Sequence, residues 1–180
     1  MSSRKAKDLN WLTKKYMSFF KKFGMNEQNI IDHYYTWSAK GSMNILDYLW
    51  YIFNHLLDAN LQQSTDRIKF YERNELIYSE MINFRRSVEK KNGNEIQKLL
   101  NLNRVNLALE NLTSELEYEF TIIAPNDCVE SAELRMKKIS IEDAIRNDAI
   151  PYEKCSRKNG CVCLISLTAK RDSSGNLIFK

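Results

Sequence analysis

The sequence predicts an α+β protein that is mainly α, with a helical bundle over residues 1–115 and a small α+β module over residues 116–180 that closes on a β-hairpin. Three observations carry this expectation. The 180 residues include only two prolines and five glycines, so little interrupts helix formation. Apolar residues recur at three- and four-residue spacings up to Leu112 and then alternate with polar ones from about Glu117, which marks a change from helix to strand. All four cysteines, Cys128, Cys155, Cys161 and Cys163, lie in the last third of the chain. A hydrophobic content of 43% against 28% charged residues is that of a globular chain, long enough to bury its own core.

A first helix is expected over residues 8–23, where Leu12, Tyr16, Phe19 and Phe23 share one face and Gly24 follows as the C-cap. Asn26 is the natural N-cap of a second helix ending near Ser38, before Gly41. Residues 44–61 are apolar almost all round, from Ile45 and Leu49 through Phe53 to Leu57, which predicts a helix buried on several sides. A long fourth helix is expected over residues 64–92, opened by Ser64-Thr65-Asp66 and stopped by Gly93, and a fifth over residues 95–112. The alternation of Tyr118, Phe120 and Ile122 then reads as a strand ending at Pro125. Ser140, with Asp143 three residues on, reads as the cap of a short helix. Residues 161–168 and 176–179 form the expected hairpin around Gly175.

Charge is unevenly placed. Up to Phe23 the chain carries Arg4, Lys5, Lys7, Lys14, Lys15, Lys21 and Lys22 against Asp8 alone, so this segment is +6 and the remainder −2 within a net charge of +4. No apolar run of about 18 residues predicts a transmembrane helix, and Lys14 and Lys15 interrupt what a secretory signal would need to be apolar. A cytoplasmic setting is therefore expected, in which free or metal-bound thiols are more common than disulfides.

Four thiolates can close a tetrahedral Zn2+ site that staples a module too small to hold itself together by burial. Cys128, Cys155, Cys161 and Cys163 have that number, with the spacing C-x26-C-x5-C-x-C instead of paired C-x2-C knuckles. In an extended strand the α-carbons of Cys161 and Cys163 would be roughly 6.6 Å apart on one face. Structural zinc, plain core thiols and a redox pair such as Cys155 with Cys161 all remain open on this spacing. His33 and His55 fall in different predicted helices without an i, i+4 partner and read as packing or surface residues.

The helix around residues 76–84, Asp127-Cys128, residues 141–145, Ile150-Pro151, Cys155 and Gly160-Cys161-Val162-Cys163 together resemble a family of uncharacterised bacterial proteins. The module is also similar to the cysteine-rich tail of some phage minor head proteins. That resemblance spans about residues 66–167 and implies a C-x2-C pair, a glycine-lysine turn, a helix ending in proline and a closing C-x-C. Here Ser131 stands at the second cysteine and Met136 at the glycine before Lys137. It implies a bacterial or phage setting and the module boundary, and assigns no reaction.

Function classes follow from these features. No nucleophile elbow, phosphate-cradling glycine loop, H-E-x-x-H or zinc-deaminase signature is present, so a non-enzymatic role is expected. Glu117, Glu119, Asp127, Glu153 and Lys154 are scattered surface residues on this reading. Aromatic residues at 11% of the chain supply more apolar helix surface than one stripe each, which points to a protein partner or self-association. The alternative is nucleic-acid binding through Lys14, Lys15, Lys21, Lys22, Arg85 and Arg86, with Tyr16, Phe19 and Phe20 stacking on bases. Docking of the basic first helix on a membrane surface is the weakest of these readings, because a core helix needs the same aromatic stripe.

Overall fold

In a computed structural model the chain is described over residues 7–41, 43–112, 115–126, 128–146 and 148–180. Arg4, Lys5 and Asp127, singled out above, lie outside the described residues. The fold is α+β and mainly α. Helices α1 (Leu9–Lys21), α2 (Glu27–Ser38), α3 (Ile45–Gln63), α4 (Arg67–Ser87) and α5 (Asn94–Glu110) precede strand β1 (Tyr118–Ile123), strand β2 (Lys138–Ile139), helix α6 (Ile141–Arg146) and strand β3 (Leu164–Ala169). Among the described residues no helix is long and apolar enough to cross a membrane.

The helix starts follow local chemistry. The Asp8 carboxylate accepts the Trp11 N–H at 2.8 Å. Asn26 and Asn29 cap each other's backbone in a reciprocal box, and Asp66 accepts the N–H groups of Ile68 and Lys69. Each such cap satisfies donors that have no partner within the helix. The fourth helix ends at Ser87, five residues before the expected stop. Lys90 takes a left-handed φ of 60° and the Lys91 N–H turns back to the Arg85 carbonyl at 3.0 Å, so the chain has already left the helix when it reaches Gly93.

The structure divides into two compact units between Ala59 and Asn60, within α3. The first unit is built on aromatic packing. Tyr16, Phe19 and Phe20 of α1 are buried, as are Tyr48, Ile52 and Phe53 of α3. Phe53 meets Phe19 at 5.8 Å and 74°, and Tyr16 at 6.5 Å and 80°, the edge-on geometry that aromatic quadrupoles favour.

In the second unit α4 packs along α5, and α5 in turn covers the sheet through Val105, Ala108 and Leu109. The β1 side chains Phe120 and Ile122 bury against α5, and burying each stabilises the unit by about 2–3 kcal/mol, so the module shares its core with the helices before it. The sheet has order β2-β1-β3 and is antiparallel throughout. β3 pairs with β1 in a six-residue register from Tyr118↔Ala169 to Ile123↔Leu164. Just after β3 the chain turns back at residues 172–175, where the Asp172 N–H bonds the Asn176 carbonyl at 2.9 Å and the Ile178 N–H the Lys170 carbonyl at 3.1 Å, so the expected closing hairpin forms as a short antiparallel turn beside the long-range pairing. Residues 176–179 contribute isolated bridges, Arg171↔Leu177 and Leu116↔Phe179.

A buried polar knot fixes the entry into the second unit. Asn60 donates from Nδ2 to the Phe70 carbonyl at 2.9 Å and to Asn74 Oδ1 at 2.7 Å, while Ser64 Oγ donates to Asn60 Oδ1 at 2.7 Å. Replacing Asn60 by Leu strands a buried carbonyl and a buried amide oxygen. A loss of about 1–3 kcal/mol is expected, read as a fall in the urea midpoint with an unchanged slope.

Candidate functional site

The four cysteines come from two loops of the second unit, Cys128 from the loop after β1 and Cys155, Cys161 and Cys163 from the loop between α6 and β3, and the last three share one core cluster. Cys128, Cys161 and Cys163 are buried, Cys155 is half-buried, and all four are free thiols. Cys161 and Cys163 lie just before β3 in a segment that is not strand, so the two-residue strand repeat does not govern their spacing. Cys161 is the hub: its sulfur accepts the Cys163 N–H at 3.4 Å, and its thiol bears on the titration of both Cys155 and Cys163. Ser131, fully buried, donates its hydroxyl to the Cys128 carbonyl at 3.4 Å, and the Cys128 thiol donates to Glu130 Oε2 at 3.7 Å.

The electrostatics separate these thiols. Hydrogen bonds from the Ser131 side chain and backbone, aided by Arg157, hold Cys128 below the ordinary thiol range in spite of desolvation. Burial pushes Cys155 up, and pushes Cys163 up to about 12, with the Cys161 thiol adding to the effect. Without a nearby cation Cys155 and Cys163 stay neutral at physiological pH. Among the described residues no group of three or more His, Cys, Asp or Glu side chains is already drawn together so as to hold a metal ion.

The cysteine loop is clasped by the turn between α4 and α5. Arg86 donates Nε to the Asn159 carbonyl at 2.9 Å and Nη2 to Gln97 Oε1 at 3.2 Å, and Nη2 also bonds the Cys161 carbonyl. Asn94 Oδ1 accepts the Cys161 N–H at 2.7 Å, and the Gly93 N–H reaches the Asn159 carbonyl at 3.4 Å. Between these partners Gly160 adopts φ +94°, and a Cβ there would stand 2.4 Å from Asn94 Oδ1 and 2.7 Å from Asn92 Oδ1. Only glycine fits. Burial lowers the Arg86 pKa, while the Cys161 and Cys155 thiols pull it back up.

The residues of the nucleic-acid reading fare differently from one another. Lys14, Lys15, Lys21 and Lys22 are exposed on α1, and Lys15 lies over the Trp11 and Tyr16 rings at 5.6 and 5.4 Å. Tyr16, Phe19 and Phe20 are core residues and offer no face to a base. Arg85 pairs with Glu89 at 2.9 Å, and Arg86 spends its donors inside the clasp. The basic residues thus fall in two separate units, without the stacking platform the motif requires.

Sequence reasoning set the histidines aside, yet the structure brings His33 and His55 to a ring-centroid distance of 5.6 Å in the first unit. Burial, then the charges of His55 and Lys40, holds His33 below the usual imidazole range. A signal did exist in the sequence: the two residues lie on helices joined by a short connection, at positions bordered by Tyr34, Trp37, Tyr48 and Tyr51.

No protein-family model, curated protein or solved structure matches the chain. The site therefore rests on its own geometry. Gly160→Ala combines a left-handed φ with a clash against Asn94. A loss of about 3 kcal/mol is expected, seen as a lower thermal midpoint and as faster alkylation of Cys161 once its loop is released.

Proposed function

We propose that this chain is a non-catalytic assembly component whose second unit is held in shape by a structural zinc–thiolate centre. The observation that carries this reading is that Cys161, Cys163 and half-buried Cys155 share one core cluster of the second unit, that Cys128 is buried in the loop after β1 and bears on the electrostatics of Cys155 and Cys163, and that all four are free thiols. Backbone and hydroxyl donors already address the sulfurs, namely the Cys163 N–H on Cys161 and Ser131 on Cys128. Donors of this kind stabilise thiolate and tune bound metals.

The chemistry of the donor set fits zinc. Four thiols in a largely apolar shell are ligands for a soft or borderline ion and poor ligands for Mg2+ or Ca2+. The ion would supply positive charge that keeps the buried thiols deprotonated. The protein's part is to bring the loops together: the clasp holds Cys161, and the chain from Tyr152 brings in Cys155 through its N–H bond to the Tyr152 carbonyl at 3.1 Å. The Cys128 thiol donates to Glu130 Oε2 at 3.7 Å, and both histidines of the chain belong to the first unit, which favours a structural role for the cysteines over nucleophilic catalysis by a thiol–imidazole pair.

The assembly role is supported by large apolar side chains left in solvent on both units: Tyr35 at 64%, Met43 at 78%, Val129 at 83% and Phe179 at 63% of their full exposure. A bacterial or phage setting is the context that the resemblance of the cysteine tail suggests.

Native mass spectrometry of chain prepared without chelator tests the reading, because one spectrum reports both bound metal and subunit number. One zinc per chain is expected, lost in Cys161→Ser and Cys163→Ser and retained in His33→Ala. The two cysteine variants should also melt at least several degrees lower, a consequence of losing roughly 2 kcal/mol or more of metal-linked stability. A chain that stays metal-free after anaerobic incubation with zinc returns the cysteines to the status of core thiols.

A further inference from the structure

The chain contains two histidines, and both lie in one aromatic cluster of the first unit. His33 is on α2 and His55 on α3, with ring planes inclined by 39° at the 5.6 Å separation given above. Tyr51 flanks both rings, 5.3 Å from His33 and 6.3 Å from His55. His55 is exposed and His33 half-exposed, so the pair is open to solvent.

The tautomer of His33 follows from counting hydrogens. Tyr48 is fully buried and its hydroxyl donates to the Ile30 carbonyl at 2.8 Å. A phenol has one hydrogen to give. His33 Nδ1 lies 3.2 Å from that same hydroxyl oxygen, so Nδ1 carries the ring proton and donates it, and Nε2 keeps its lone pair. Metal-binding imidazoles are oriented in this way, with one ring N–H held by a fixed oxygen acceptor and the other nitrogen turned to the ion.

The spacing also fits. With metal–nitrogen bonds of about 2.1 Å, two imidazoles on one ion at a tetrahedral angle have ring centroids roughly 5.2 Å apart. The observed 5.6 Å corresponds to a slightly wider angle. No third His, Cys, Asp or Glu among the described residues joins the pair, so the donor set is nitrogen only. Such a set selects late first-row divalent ions over Mg2+ or Ca2+.

We propose that His33 Nε2 and His55 form a two-imidazole site for a single Ni2+ or Cu2+ ion bridging α2 and α3, with water in the remaining positions and Tyr48 as the positioning residue. The site lies in a different unit from the cysteines and uses different donors. It stands whether or not the thiols bind zinc.

Titration of the untagged full-length chain with Ni2+, followed by amide and imidazole nitrogen spectra, tests the proposal. Paramagnetic broadening is expected first around residues 33 and 55. His55→Ala changes an exposed position, and its amide spectrum will show that the fold is intact; it should weaken Ni2+ binding by about tenfold or more. Tyr48→Phe should weaken it by about tenfold and turn the single His33 tautomer into a mixture, a readout that a purely structural role for Tyr48 would not move. Broadening centred on the cysteines or on surface acids, an unchanged affinity in His55→Ala, or an Nε2-protonated His33 in the free chain would each overturn it.

Discussion

The second unit depends on how the helical hairpin of α4 and α5 holds the cysteine loop. Arg86 is half-buried, a costly position for a cation, and it is satisfied because two backbone carbonyls of the loop and one glutamine face it. The loop in turn has no strand partner for its own amide at Cys161 and takes one from Asn94. Each side meets the other's unsatisfied groups. Gly160 lets the two backbones approach closely enough for this exchange, since any side chain there would occupy the space of Asn92 and Asn94. Removing the clasp would leave a buried charge, exposed carbonyls and a loop with no reason to keep its shape.

That constraint links the fold to the chemistry. The hub at Cys161 is placed by its backbone, through Asn94 and Arg86, before its side chain does anything. Cys163 follows two residues later and returns its N–H to the Cys161 sulfur. Ser131 ties the loop after β1 to the same point. Burial favours the neutral form of the Cys155 and Cys163 thiols, while at Cys128 hydrogen bonds outweigh desolvation. A divalent cation would reverse that preference, which is why metal occupancy and the stability of this unit should rise and fall together.

The first unit shows how a sequence pattern can suggest more than it delivers. Basic residues interleaved with Tyr16, Phe19 and Phe20 match the composition of a single-strand binding surface, but the aromatics are claimed by Phe53 and the helix core. A 3.6-residue repeat places them all on one face, and one face of a short helix cannot both fill a core and stack on bases. The histidines illustrate the reverse case. Each is unremarkable in its own helix, and their pairing arises only from the packing of α2 against α3.

The sequence by itself determined the elements: the caps at Asn26, Asp66 and Ser140, the periodicity of the helices, and the switch to a strand at Tyr118. These depend on neighbours within a few residues, where backbone hydrogen bonding and side-chain periodicity act. It also determined the mainly helical α+β class and the confinement of the thiols to the last third. Tertiary structure alone decided that β3 pairs along its whole length with β1, that Arg86 serves the cysteine loop, and that His33 meets His55. Each of these joins residues far apart in the chain or on separate elements, and its energy comes from shared burial and from satisfying another segment's polar groups, which no local pattern encodes.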